Sequence, residues 1–370
     1  MQTLGLARSL RGMGYSVRVL GPCDGAPPDV GITPLGKSLP TIYNGSMAPI
    51  APDPACQLRT IRAIRDEAFD IIHLHEPLAP GPTTTALFTR PTPLIGTFHA
   101  AGTSVGYDLM PRASRFLASR LDYRTAVSKE ARDMAYKALG GSYDLLYNGV
   151  DLSTFQVEMP TLKTPDSPTI LFLGRHEPRK GLSVLLDAFS RLPDTVRLWV
   201  AGSGPETSNL RTGRSSSRKR SKNNYASRIE WLGTISDTEK IARFKSADVF
   251  CAPSLRGESF GIVLLEAMAA ATVVVATDIP GYRSIATNDL NALLVPPQDS
   301  IALANALLKA LTDKKLAGRL VAAGHEHVTR FSMDSLAERY LKIYTQTAGP
   351  ITSYLTSYPG PKNRNGPEKS

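Results

Sequence analysis

Apolar residues along this 370-residue chain follow two rhythms. Short, mainly apolar runs, bounded by glycine, proline or polar clusters, fall near residues 17–20, 71–74, 94–98, 124–127 and 145–147. More follow near residues 170–173, 198–201, 229–232, 249–251, 273–276 and 292–295. Runs of this length without polar alternation read as strands buried on both faces, the kind found in parallel sheets. Segments with helical apolar spacing lie between them. Leu182, Leu185, Leu186 and Phe189, just after the run 170–173, are the plainest case. Alternation of strand and helix over the whole length predicts α/β layers. The proline-bearing, apolar-poor stretch 148–168 breaks the pattern in two, and a chain of this length exceeds what one core usually serves. The expected organisation is one domain over 1–148, a linker over 149–168 and a second domain over 169–331.

Composition agrees with a soluble globular protein, 42% hydrophobic and 21% charged. The longest apolar stretch, 262–276, is interrupted by Glu266, so no run reaches the roughly 18 residues of a membrane span. Residues 1–15 lack the apolar core of a signal peptide. Cys23, Cys56 and Cys251 are too few and too scattered for a disulfide framework or a paired-cysteine metal site. The cytoplasm is therefore the expected compartment. A net charge of +10 would suggest a nucleic-acid partner until it is located. The segment 211–228 carries seven cations and no acid, and the tail from residue 349 a net +2, which leaves +1 for the rest. A basic, disordered insertion and a disordered tail over 348–370 are expected, and nucleic acid is not an expected partner.

The segment GESFGIVLLEAMA, residues 257–269, carries the first chemistry. Glu258 falls on a loop and Glu266 inside the helix that follows. The N–H groups of Gly261, Ile262 and Val263 open that helix, where unpaired donors and the helix dipole attract phosphate. Loop, helix start and second carboxylate could hold the sugar, diphosphate and ribose of a nucleotide-sugar. The segment alone fits an amphipathic helix with two solvated glutamates equally well. A second segment, ILFLGRHEPRKGLSVLLDAF over 170–189, changes the balance. Arg175 and Lys180 flank its strand-to-helix loop, a position unfavourable for cations unless an anion joins them. A guanidinium fork and an ammonium point charge both suit a diphosphate.

With GRHEPRKG and ESFGIVLLEAMA on one chain, the sequence resembles the retaining nucleotide-sugar glycosyltransferases of family 4. The segments YNGVDLSTF (147–155), WVAGSGPE (199–206), LGTISDTEK (232–240) and SADVFCAPS (246–254) extend the resemblance over nearly the whole chain. Within that family, YNGS (43–46), HLHEPLAP (73–80) and GTFH (96–99) look most like the actinobacterial phosphatidylinositol mannosyltransferases. The resemblance implies the GT-B fold: two Rossmann-like, doubly wound parallel-sheet domains facing an interdomain cleft. It also implies a last helix, here 332–347, crossing back to the first domain. Such a first domain opens with a strand and a glycine turn. This chain opens with an amphipathic helix over 3–13, so the first strand of the N-terminal domain is expected to be missing and Met1 to be a misplaced start.

The resemblance also implies roles. His99, at the end of GTFH, would stand beside the transferred sugar, with Arg175, Lys180 and Glu258 completing the catalytic set. Ile235, Lys240, Phe260, Gly261, Ile262, Val263 and Glu266 would surround the nucleotide donor, and Tyr43, Asn44 and Ser46 the acceptor. Pro49 stands where the relatives carry a basic residue, Leu78 where they carry a polar one, and Ala271 where the turn after the donor helix carries glycine. If that turn needs positive φ, alanine costs on the order of 1 kcal/mol. Residues 55–68 read as an amphipathic helix, Leu58, Ile61 and Ile64 on one face with Arg59, Arg62 and Arg65 beside it, suited to an anionic membrane surface. His73 and His75 alternate along their strand and are expected on opposite faces, unable to share a metal. The expected function is retaining transfer of a hexose, mannose from GDP-mannose, to a phosphatidylinositol-type lipid. The enzyme would sit peripherally at the cytoplasmic membrane face and need no metal cofactor. Transfer to a soluble acceptor, or non-catalytic nucleotide-sugar binding, remain the alternatives.

Overall fold

The computed structural model describes residues 2–43, 46–100, 107, 110–162, 167–212 and 225–349, and for 40–43 and 46–49 the backbone alone. In the first half the strands are β1 (Val19–Gly21), β2 (Ile32–Pro34), β3 (Leu39–Tyr43), β4 (Ser46–Ile50), β5 (Ile72–His75), β6 (Leu94–Phe98), β7 (Tyr123–Ala126) and β8 (Asp144–Leu145). Strands β5 to β8 form a four-stranded parallel sheet in sequence order. That order requires crossovers of one hand. Accordingly α2 (Pro54–Glu67), α3 (Pro82–Thr89), α4 (Pro111–Ser119) and α5 (Lys129–Leu139) bury Ile64, Leu87, Ala118 and Leu139 with Leu74, Leu94 and Phe98 in one core. A second core covers α1 (Gln2–Gly12), where Leu6 and Leu10 meet Ile95, Leu146 and the last helix.

Strands β1 and β2 pair with each other in parallel, as a separate sheet. Leu20 of β1 still packs against the core that holds Leu74. The antiparallel hairpin β3–β4 has no counterpart in the apolar pattern. Pro40 and Pro49 pair across it, and proline, unable to donate to a ladder, argues against a strand wherever it is read from sequence. The Asn44-Gly45 dipeptide was the available signal for a hairpin.

The second half contains β9 (Thr169–Leu173), β10 (Arg197–Ala201), β11 (Ile229–Gly233), β12 (Val249–Ala252), β13 (Val273–Thr277) and β14 (Leu293–Val295). All six pair in parallel, in the order β11-β10-β9-β12-β13-β14. Helices cover both faces, as the continuous apolar runs require. Helices α6 (Leu182–Phe189) and α9 (Ser300–Thr312) bury Leu185, Phe189, Leu303 and Leu307 on one side. Helices α7 (Asp237–Ser246) and α8 (Ile262–Ala269) bury Phe244, Leu264, Leu265 and Met268 on the other. After α10 (Lys314–Val328) the chain bridges Ser332 to Val150, and α11 (Met333–Ala348) returns to the first half. There Leu336, Tyr340 and Tyr344 join the core of α1. Both halves are open parallel α/β sheets, as the alternation predicts; the second is doubly wound, while β5 to β8 of the first run in sequence order without a reversal.

Arg228 bounds the basic segment and is not a solvated cation. It is 6% exposed, donates to the carbonyls of Pro193 and Val196, and lies 4.6 Å over the Phe189 ring. Arg211, at the other end, lies over Trp231. Residues 213–224 between them are outside the described residues.

Helix α8 ends in a tight reversal. Ala271 N–H donates to the Met268 carbonyl at 3.1 Å and Thr272 N–H to that of Ala267 at 2.9 Å, the paired pattern that requires a left-handed residue after the helix cap. Ala271 supplies it at φ 58°, exposed to solvent. Its Cβ crowds the following carbonyl in that conformation. Ala271→Gly should therefore stabilise the protein by about 1 kcal/mol. Urea unfolding of the two proteins measures this. A glycine variant of equal or lower stability would mean that Ala271 is unstrained.

Candidate active site

The strand order of the second sheet reverses between β9 and β12, each continuing outward in opposite directions. In open parallel sheets the crevice at such a reversal, beyond the strand C-termini, is where ligands bind. Both motifs lie there, because 174–181 follows β9 and 253–261 follows β12. The loops touch backbone to backbone. Gly181 has φ 69°, and a Cβ on it would stand 1.9 Å from the Pro253 carbonyl oxygen. Leu255 N–H donates to the Arg179 carbonyl at 2.7 Å.

Glu258 is the centre of this junction. Its Oε1 accepts from Lys180 Nζ at 2.6 Å, from Ser254 Oγ at 3.0 Å and from Arg179 at 3.3 Å. Tyr282, fully buried, donates its hydroxyl to Ser254 Oγ at 2.9 Å. Arg175 and Arg179 both pair with Glu177, at 3.0 and 2.9 Å. The expected diphosphate cation Lys180 and the expected sugar ligand Glu258 are therefore bound to each other. The second pair behaves alike. Lys240 Nζ, at the start of α7, meets Glu266 Oε1 of α8 at 2.8 Å. Burial acts to lower the Lys240 pKa, but Glu266, with Asp237 beyond it, more than offsets this and holds the ammonium above its ordinary value. Ile235 is half-buried, next to Ser236, the N-cap of α7.

Gly261 caps α8 at φ 83°, where a Cβ would strike the Tyr282 ring at 2.6 Å. By helix geometry the N–H groups of Gly261, Ile262 and Val263 have no partner inside the helix. The Phe260 ring, in contrast, is 2% exposed and stacks on Tyr147 at 5.2 Å and 11°. Its side chain is part of the core. Tyr147 carries the contact across to the first half, since it lines one cavity with His75, His99, Gln2 and Asn148.

His99 follows β6 there. Its Nε2 lies 2.9 Å from His75 Nδ1 with the rings stacked at 5.1 Å. His75 in turn stacks on His73 at 4.5 Å. The two strand histidines thus share a face, contrary to the expectation from sequence. Residues two apart on a strand point the same way. His73 is tied at both nitrogens, to Tyr344 of α11 at 2.7 Å and to Thr97 at 2.6 Å. Ser254, Tyr282, Arg179 and the α11 tyrosines were not singled out in the sequence, and His75 was considered only as a metal ligand. Arg179 was legible beside Lys180, whereas the others come from distant segments.

Tyr43 pairs with Ser46 at the end of the hairpin, and Asn44 is outside the described residues. Leu78 is 7% exposed, in the core with Leu74. In α2, Cys56, Thr60 and Ile64 face inward, so Ile64 leaves the apolar face expected of it. Leu58 and Ile61 are exposed at 68% and 40%, next to Arg62 and Arg65, which both reach Asp66 at 3.3 Å. Arg59 turns away to the Leu35 carbonyl at 2.6 Å.

Comparison with known proteins fits this geometry. Residues 1–154 match the family described as Glycosyltransferase Family 4, and residues 156–327 that described as Glycosyl transferases group 1. A phosphatidyl-myo-inositol mannosyltransferase of Mycobacterium leprae is 39% identical over 93% of this chain and 92% of its own length. The protein of that name from Mycolicibacterium smegmatis is 36% identical over 94% and 89%. Among solved structures, the sucrose-phosphate synthase of Thermosynechococcus elongatus shares the fold, with TM-score 0.68 at 22% identity over 92% of this chain and 91% of that one. Anabaena HepE in complex with UDP shares it with TM-score 0.64 at 19% identity over 80% and 85%. The chain belongs to glycosyltransferase family 4, with the GT-B fold, and is a glycosyltransferase.

The buried histidine stack should make the fold acid-sensitive. Burial lowers the His73 pKa to about 3 and the His99 pKa to about 4, and pushes His75 well below its ordinary value. Unfolded histidine takes up its proton near pH ~6.5. The stability these neutral rings contribute is therefore complete above that pH and lost as pH falls toward the folded values. Glu76, raised by burial, acts oppositely, one group against three. Urea unfolding should show a free energy that declines from about pH 6.5 to about pH 4.5. A flat profile would mean that the rings are not held neutral by the fold.

Proposed function

On the premise that the chain is a family 4 glycosyltransferase, we propose that it moves mannose from GDP-mannose to phosphatidylinositol, with retention of the anomeric configuration. The observation that carries this is the convergence of Lys180, Glu258, Lys240, Glu266 and the start of α8 at the crevice between β9 and β12. The parts of a nucleotide-sugar match it in order. The diphosphate lies at the α8 N–H groups with Arg175 and Lys180. Glu266 accepts from the ribose hydroxyls and Ile235 flanks the base. Glu258, freed from Lys180, turns to the hydroxyls of the sugar. Binding exchanges the protein ion pairs for phosphate at the cations and hydroxyl donors at the carboxylates, so each buried charge keeps a polar partner.

In the transfer step negative charge grows on the leaving diphosphate. Lys180 and Arg175 stabilise it as preset charges. The acceptor hydroxyl attacks the face from which the diphosphate departs, and a phosphate oxygen takes its proton. These two cations supply the charge that a divalent metal would otherwise bring, so the step needs no metal. His99, neutral at pH 7, faces the sugar from the first half.

The names of the mycobacterial relatives support phosphatidylinositol as acceptor. A lipid acceptor requires a membrane surface, and no helix among the described residues is long and apolar enough to cross one. The exposed Leu58, Ile61, Arg62 and Arg65 of α2 suit shallow contact with an anionic inner leaflet. Asp66 offsets part of that charge, so the contact is weak and reversible.

The test is transfer from GDP-mannose to phosphatidylinositol vesicles in EDTA, with the linkage read by NMR. The expected product is α-mannosyl phosphatidylinositol. Lys180→Ala should lower turnover on the order of 10²-fold, and Glu266→Ala should chiefly weaken GDP binding by calorimetry. Activity on vesicles should fall as salt rises and be largely lost in an Arg62→Gln/Arg65→Gln variant, while a detergent-dispersed acceptor is still used by both. A β-linked product would refute retention. Full activity and unchanged GDP binding in both donor variants would refute the donor site.

A further inference from the structure

Glu76 has no part in the donor site, yet it is built with unusual constraint. It follows β5, at φ 52°, a left-handed conformation that L side chains rarely adopt. Its own N–H donates to the Thr97 carbonyl at 2.9 Å, which extends the β5–β6 ladder by one step. The side chain then crosses to the end of β6. Oε1 accepts from the main-chain N–H of His99 at 2.7 Å and of Ala100 at 2.6 Å. Oε2 accepts from the hydroxyl of Tyr107, a residue 1% exposed. The adjacent residue reaches the same target from the other side, since His75 Nδ1 lies 2.9 Å from His99 Nε2. A buried carboxylate without a cationic partner is expensive unless donors converge on it. Here three do, and two of them belong to the backbone that carries His99.

We propose that Glu76 is a positioning residue for sugar transfer, acting through the His99 and Ala100 amides to fix where the His99 ring stands, with His75 fixing the ring itself. Strained backbone held by surrounding bonds is typical of segments that set a functional geometry. The carboxylate holds the main chain at the exit of β6, where the parallel ladder with β7 ends and the N–H groups would otherwise point to water. With His99 Nε2 taken up by His75, Nδ1 is the ring nitrogen with no hydrogen-bond partner among the described residues. The inference rests on the reading that His99 stands beside the transferred sugar.

A double-mutant cycle with Glu76→Ala and His99→Ala tests it, read as kcat and KM for GDP-mannose, with GDP calorimetry on each protein as a control for the folded donor half. Glu76→Ala alone should lower kcat by about 10²-fold, the effect of small misplacement of a reacting group, with KM and GDP affinity nearly unchanged. In the His99→Ala background it should lower kcat no further. Glu76→Gln, which keeps an acceptor oxygen for the two amides, should fold as the parent does and recover most of kcat. Additive losses in the double variant would overturn the positioning role while leaving His99 at the sugar. So would a Glu76→Gln variant as slow as Glu76→Ala. If His99→Ala alone leaves kcat unchanged, the placement of His99 at the sugar fails, and this inference fails with it.

Discussion

The approach of Gly181 to the Pro253 carbonyl is the constraint on which the site depends. There is no room there for a side chain, and the positive φ asks for glycine independently. Because the two residues close together, the loop after β9 and the loop after β12 become one wall of the crevice. Lys180, next to the glycine, is thereby set 2.6 Å from Glu258, which is 78 residues away in sequence. The strand order supplies the crevice, and this one contact brings the charges to it.

A second consequence concerns charge. Each cation proposed to meet the donor has a carboxylate partner: Lys180 has Glu258, Lys240 has Glu266 and Arg175 has Glu177. The side chains of the first two pairs, none more than 19% exposed, would be costly to leave unpaired. The pairing keeps the site charged and folded before substrate arrives. Under the proposed function, donor affinity is the difference between these ion pairs and the phosphate and hydroxyl contacts that replace them. Specificity for a nucleotide-sugar then follows from supplying both anionic phosphates and hydroxyl donors, since either alone leaves one member of a pair without a partner.

Much of this was legible in the chain. Each strand of the second sheet coincides within a residue or two with a mainly apolar run; all but the edge strand β11 are buried on both faces, which leaves no polar alternation to obscure them. The donor motifs were legible because loop chemistry and helix start lie within single short segments. What escaped was set by distance or by a competing rule. The hairpin 39–50 was hidden by two prolines facing each other. Phe260 sits amid ligand-facing residues, but its ring fills the junction with Tyr147. Arg59 belongs by spacing to a basic stripe and by geometry to the Leu35 carbonyl. The role of Glu76 depends on main-chain groups of another strand, which no local pattern announces.

Amide hydrogen exchange with and without GDP-mannose, at a concentration that saturates transfer, tests the central claim most directly. The account predicts slowed exchange at Gly261, Ile262 and Val263 and across residues 174–181, since the diphosphate accepts from the first group and orders the second. Unchanged exchange at all of these amides under saturating donor would contradict it, because the nucleotide-sugar would then bind elsewhere than the crevice between β9 and β12.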